Sequence, residues 1–120
     1  MNTMKDIVAR YLDSWNQIDA GVRRANIRGL FAEQCSYTDP NATVLRHDGI
    51  DGLIGAVQKQ FAGLSFVLGG SVDAHHDVAR FTWHAMAPGR QEPVAIGFDV
   101  LVMDGSRIKQ VVGFLDKLPG

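Results

Sequence analysis

The chain has a single cysteine, Cys35, among 120 residues. One thiol excludes an internal disulfide and any cysteine-rich zinc site. Net charge is scarce as well: 12 basic against 13 acidic side chains leave −1 at pH 7. Without a basic excess, no nucleic-acid partner is expected. No apolar run approaches the roughly 20 residues of a membrane-spanning helix. The opening MNTMKDIVARYLDSW carries acidic residues and lacks the apolar stretch of a signal peptide. A cytoplasmic protein without membrane contact is therefore expected. There is no phosphate-binding glycine loop, no nucleophile elbow and no helical histidine pair of zinc type. Cys35 has no His close to it in sequence, which argues against a thiol nucleophile. His75-His76-Asp77 has the residue types of a metal cluster. Adjacent strand residues point to opposite faces, however, so neither a metal nor another cofactor is expected.

What the chain does have is apolar material. Leu, Ile, Val and Phe make up 34 of the 120 residues, above the range of disordered chains. A chain of this length forms one domain, residues 1–120, with room for one core and one pocket.

Met4, Ile7, Val8, Tyr11, Leu12, Trp15 and Ile18 recur at spacings of three and four, which predicts an amphipathic helix over 3–18 capped by Asn2 or Thr3. Asp19 caps a second helix, roughly 20–32, with Val22, Ile27, Leu30 and Phe31 as its stripe. Cys35 to Asp39 is a short strand stopped by Pro40, and 41–48, including His47, reads as loop. A third helix runs from about Gly49 to Ala62, with Ile50, Leu53, Ile54, Val57 and Phe61 on one face. Four strands follow: Leu64–Ala74 with a bend at Gly69-Gly70, Val78–Ala87, Val94–Met103 and Arg107–Asp116. Connections this short require antiparallel pairing. The order is α+β, and a sheet bent at glycines with helices on one face makes a cone with a mouth.

Three residues stand out. Asp99 interrupts an apolar strand, where a carboxylate is unfavourable. Alternation sets Ala95, Gly97, Asp99, Leu101 and Met103 on one face, against Ile96, Phe98, Val100 and Val102. The first set leaves space beside the acid. A buried Asp without a cation has a raised pKa, and its protonated form can donate a hydrogen bond to an oxyanion. The alternative is an Asp bonded to backbone or to an Arg. Asp39 shares strand parity with Tyr37 and could serve as a base at the pocket mouth, although Asp-Pro-Asn is also a common turn sequence. Tyr11 lies on the apolar stripe of the first helix, where a core Tyr reaching a partner is the ordinary alternative. In the second long strand Ala79, Phe81, Trp83 and Ala85 should face the helices, leaving His84 outward as a surface or interface residue.

These segments resemble the nuclear transport factor 2-like superfamily and, more narrowly, the SnoaL-like polyketide cyclase group. The resemblance covers nearly the whole chain. It rests on the helical order, Tyr37-Thr38-Asp39-Pro40, Arg80-Phe81-Thr82-Trp83, Gly97-Phe98-Asp99-Val100, Arg107-Ile108 and Val111-Val112-Gly113-Phe114. It implies a cystatin-like, cone-shaped antiparallel sheet with three N-terminal helices on its concave face. Among relatives, ketosteroid isomerase uses a base and an oxyanion hole with a neutral Asp donor. The resemblance implies the corresponding positions here: Tyr11 within Arg10-Tyr11-Leu12, Asp39 before Pro40, and Asp99. Asp39 would take a proton beside a carbonyl, and Tyr11 and Asp99 would donate to the enolate oxygen. Trp15, Tyr37, Phe61, Phe81 and Trp83 would line the substrate. The implied function is an isomerase or cyclase for a small apolar carbonyl compound. A non-catalytic ligand-binding protein and a dimeric interaction module remain as alternatives. The resemblance also implies a homodimer through the outer sheet face at Ile96, Phe98 and Val100.

Overall fold

The computed structural model describes residues 3–118. Helix α1 spans Met4–Asn16 and opens on a capping box: Thr3 Oγ1 accepts from the Asp6 N–H, and the Asp6 carboxylate accepts from the Thr3 N–H. Helix α2 spans Ala20–Leu30, and Asp19 caps it by accepting from the Val22 N–H at 2.9 Å. Both helices lie close to their expected positions. Each stripe differs at one end. Ile18 falls after α1 and is 84% exposed, and α2 buries Arg23, Ile27 and Leu30 rather than Val22.

Phe31 opens strand β1, Phe31–Thr38, instead of closing the helix. The expected loop at 41–48 holds strand β2, Thr43–Leu45, and the start of helix α3, Arg46–Gln60. Leu45 precedes α3 without a capping side chain, so the usual N-terminal signal is missing from the sequence. His47 therefore sits in the first turn of α3, where Nε2 donates to the carbonyls of Phe31 and Ala32 at 2.9 and 3.1 Å.

The expected strand 64–74 divides at Gly69-Gly70 into β3, Ser65–Leu68, and β4, Asp73–His75. Both pair with β5, Val78–Met86. Strands β6, Ala95–Asp104, and β7, Arg107–Lys117, complete the antiparallel meander.

The sheet is mixed, not wholly antiparallel. Its order is β2-β1-β7-β6-β5-β3, with β4 also on β5. Strand β1 runs parallel to β7, Tyr37 opposite Val111. Short connections enforce antiparallel pairing only between neighbours in sequence. Between β1 and β7 lies most of the chain, which is ample for a parallel crossover. The result is a curved, unclosed seven-stranded sheet with three helices on one face, an α+β architecture. Alternation along β6 is regular, with Ala95, Gly97, Asp99, Leu101 and Met103 all buried. The core fills the space between helices and sheet, centred on Tyr11, Phe31, Phe81, Ile54 and Leu101. No helix among the described residues is long and apolar enough to cross a membrane.

One polar tie joins the helices to one another, and a second joins α1 to the sheet. Arg23, buried, donates Nε to Asp51 at 2.7 Å and Nη1 to Gln58 Oε1 at 2.9 Å. Gln58 Nε2 donates to the carbonyls of Trp15 and Gln17, so α1, α2 and α3 share one network. Asn16 forms the second tie: its amide donates to the Phe66 carbonyl at 2.8 Å and accepts from the Phe66 N–H at 2.7 Å.

Candidate active site

A cavity of about 180 Å³ opens between α1, α3 and the concave sheet. Tyr11, Asp39 and Asp99, far apart in sequence, all line it. Tyr11 reaches it because α1 lays its apolar stripe across the sheet. Asp99 reaches it because β6 alternation turns it inward. Asp39 reaches it from the end of β1, which Pro40 terminates.

Tyr11 Oη donates to Asp99 Oδ2 at 3.1 Å inside the protein. Asp99 is 4% exposed. Burial raises its carboxyl from an ordinary 3.8 to about 6; the donors Trp83 and Tyr11 hold it back, and the charge of Asp39 adds to the rise. The Tyr11 phenol is pushed well above 10, by burial first and then by the charge of Asp99. The Asp99 carboxyl thus keeps its proton up to about pH 6, well above an ordinary carboxyl, next to a phenol that keeps its own.

Asp39 is held differently. Its Oδ2 accepts from Tyr37 Oη at 2.7 Å, and its Oδ1 accepts from the Asn41 and Ala42 N–H groups at 2.8 and 2.9 Å. The turn chemistry of Asp-Pro-Asn is therefore present, and the same side chain faces the cavity. The Tyr37 phenol is likewise pushed up from its ordinary value, by burial first, then by Asp99 and its bond to Asp39.

Gly113 brings the two acids together. A Cβ there would stand 2.9 Å from Asp99 Oδ1 and 3.3 Å from Asp39 Cβ. Only a residue without a side chain lets β7 pass between them.

Of the expected wall residues, Trp15, Tyr37, Phe61 and Trp83 line the cavity. Phe81 does not. It pairs with Asp99 across β5 and β6 and packs under Tyr11, ring centroids 5.9 Å apart, in the core behind the cavity. Parity set its face correctly; depth placed it one row too far in. Phe66 was not expected and supplies a wall, 5.8 Å from Trp15 and 5.5 Å from Trp83 between ring centroids. Its sequence signal is slight, since β3 is four residues long. Asn41 and Leu115 also line the cavity. His84 lies on the opposite side of β5 from Trp83, packed against Gly69. Among the described residues no three His, Cys, Asp or Glu side chains form a metal-holding set.

Searches for related proteins extend this picture. No protein-family model and no curated protein matches the sequence. Solved structures do. A candidate isomerase of the SnoaL-like family from Agrobacterium tumefaciens is 38% identical, over 92% of this chain and 94% of that one, with a TM-score of 0.87. A candidate SnoaL-like polyketide cyclase from Jannaschia sp. CCS1 is 14% identical, over 92% of this chain and 83% of that one, at a TM-score of 0.74. A protein of ketosteroid isomerase-like fold from Catenulispora acidiphila, in complex with trimethylamine, is 16% identical, over 90% and 83%, at 0.71. The last two share the fold. With the first, similarity in sequence and in structure runs nearly end to end, and the chain belongs to the SnoaL-like family of the nuclear transport factor 2-like fold.

Proposed function

We propose that this protein is an acid–base enzyme, an isomerase or cyclase, for a small apolar carbonyl compound. One observation carries the reading: Asp39 and Asp99 approach each other at Gly113 inside a mostly apolar cavity, each with a phenol on it. Asp39 takes the proton from the carbon beside the carbonyl. The C–H electron pair moves into a carbon–carbon double bond, and the carbonyl π pair moves onto oxygen. Tyr11 and protonated Asp99 donate to that oxygen in place of their bond to each other. An isomerase then returns the proton from Asp39 to a different carbon. A cyclase instead lets the enolate carbon attack a second carbonyl carbon of the same molecule: the first carbonyl re-forms as the carbon–carbon bond is made, the π pair of the second moves onto its oxygen, and that oxygen takes the proton from Asp39. Tyr37 and the Asn41 and Ala42 amides keep Asp39 aimed. Such a base typically supplies about 10²–10⁴-fold, and oxyanion donors about 10²–10³-fold each.

Deuterium uptake from D2O at the α-carbon of small cyclic ketones tests this. The native protein should accelerate uptake, and Asp39→Asn should lose about 10²–10⁴ of that rate. Equal uptake by both would remove Asp39 as the base. Ligand binding that persists in Asp39→Asn and Asp99→Asn, without exchange in any form, would leave a binding protein.

We infer in addition that two copies associate through the outer sheet face. Phe98 and Phe114 form an aromatic pair there with centroids 6.5 Å apart, beside Ile96 and Val100, and Phe114 is 52% exposed. Apolar patches of this kind are typically covered. The unpaired thiol of Cys35 fits a reducing compartment such as the cytoplasm.

A further inference from the structure

We propose that His75 and His76, at the turn between β4 and β5, chelate a divalent transition-metal ion, with copper(II) preferred. The site is separate from the one described above: the hollow beside His76 and the cavity around Asp99 share no residue. It does not rest on the carbonyl reading.

Two successive histidines on one strand would point to opposite faces. This pair is not on one strand. His75 ends β4 opposite Val78, and His76 and Asp77 make the two-residue turn. His76 has a φ of 51°, in the left-handed region that His enters more readily than most residues. The turn takes its side chain out of strand alternation and brings the two rings together. Their Nδ1 atoms lie 3.0 Å apart, with the ring planes at 87°. The turn itself is anchored to β6, where the Met103 N–H donates to the Asp77 carbonyl at 2.8 Å.

Two imidazole nitrogens this close need something between them. Two lone pairs repel each other, and so do two N–H groups; one hydrogen or one cation relieves the conflict. With metal–nitrogen bonds of about 2.0–2.1 Å, the 3.0 Å separation subtends about 95° at the metal. That angle suits neighbouring positions of a square or octahedral ion and falls short of the roughly 109° of tetrahedral zinc. Copper(II) is tetragonal, accepts imidazole and binds most tightly in the divalent series. Met4, Asp77 and Met103 line the hollow beside His76, which adds sulfur and carboxylate close to the pair. Arg80, on the same hairpin, is engaged by Asp73 at 2.9 Å. On binding, each Nδ1 gives its lone pair to the metal. The hydrogen between them moves to Nε2 of its own ring, and water fills the remaining positions.

The experiment titrates copper(II), nickel(II) and zinc(II) chlorides calorimetrically into the full chain, and electron spin-echo spectroscopy reads the nitrogens on copper. The native protein should take one copper bearing two imidazoles, at least tenfold more tightly than zinc. His75→Gln and His76→Asn should each weaken copper binding at least tenfold. Asn is chosen at position 76 because it tolerates the left-handed turn. Copper affinity unchanged in the double variant means an adventitious ion only and overturns the proposal, as does a single imidazole on the bound copper. Zinc bound as tightly as copper overturns the preference. Deuterium uptake should be the same in both single variants as in the native protein, so a failure of this site and a failure of the carbonyl reading are read separately.

Discussion

Asp99 is the residue at which stability and the proposed chemistry conflict. Its folded-state pKa of about 6 exceeds its ordinary 3.8, so the native state holds the proton more tightly than the unfolded chain. The resulting stabilisation is complete below about pH 4 and is lost as pH rises through 6. Asp99→Asn removes the buried charge. The variant should gain about 1–3 kcal/mol over the native protein at pH 8 and match it near pH 4, read by urea unfolding at both values. Exchange activity should fall in the same variant, because a neutral amide is a poorer donor. In the native protein, the rate should decline as pH rises through about 6 with loss of the Asp99 proton. A flat profile between pH 5 and 8 would count against Asp99 as donor. Gly113→Ala offers a further residue-scale check. Its methyl would press on Asp99 Oδ1 and crowd Asp39, so exchange should drop while the sheet still forms. Far-ultraviolet circular dichroism would report an intact fold beside the lost rate.

At the scale of elements, the helices shape the cavity as much as the strands do. Arg23 is the centre of the three-helix tie, with Asp51 and Gln58 as its partners. Arg23→Ala leaves Asp51 without its closest cation and unpins Gln58, which holds the Trp15 carbonyl. It should cost about 2–4 kcal/mol by chemical denaturation, toward the lower end because Asp51 keeps some solvent access. Much of this element-level structure was legible in advance. The stripe of α1, its Thr3 cap and the Asp19 cap of α2 are local signals, and they agree with the fold. Helix α3 began earlier than its sequence suggests, because Leu45 offers no capping oxygen. Strand β2 was invisible for a related reason: three residues carry too little alternation to be read. The place of Phe66 in the wall has no local signal, because it depends on Asn16, fifty positions earlier.

For the whole molecule, the outer face of the sheet is where the proposed association of two copies is tested. Phe98→Glu together with Phe114→Glu should convert the proposed dimer to monomers, as measured by sedimentation equilibrium. A single mass for both forms would exclude association through that face. The parallel pairing of β1 with β7 matters equally here. It carries Tyr37 and Asp39 across to Val111 and Gly113, and so delivers the second acid to the first.

The amino-acid order by itself determined the local periods, hence the element types, the inward face of each long strand, and the polar residues Tyr11 and Asp99 set within apolar patterns. Those properties depend on neighbours a few positions away. The tertiary structure alone decided depth and partnership: Phe81 behind the cavity instead of on its wall, Phe66 on it, and Asp39 with Asp99 astride Gly113. Such placements depend on the curvature of the sheet and on a crossover spanning most of the chain. Alternation along a strand specifies which way a side chain points, but not how far down the cone its row lies.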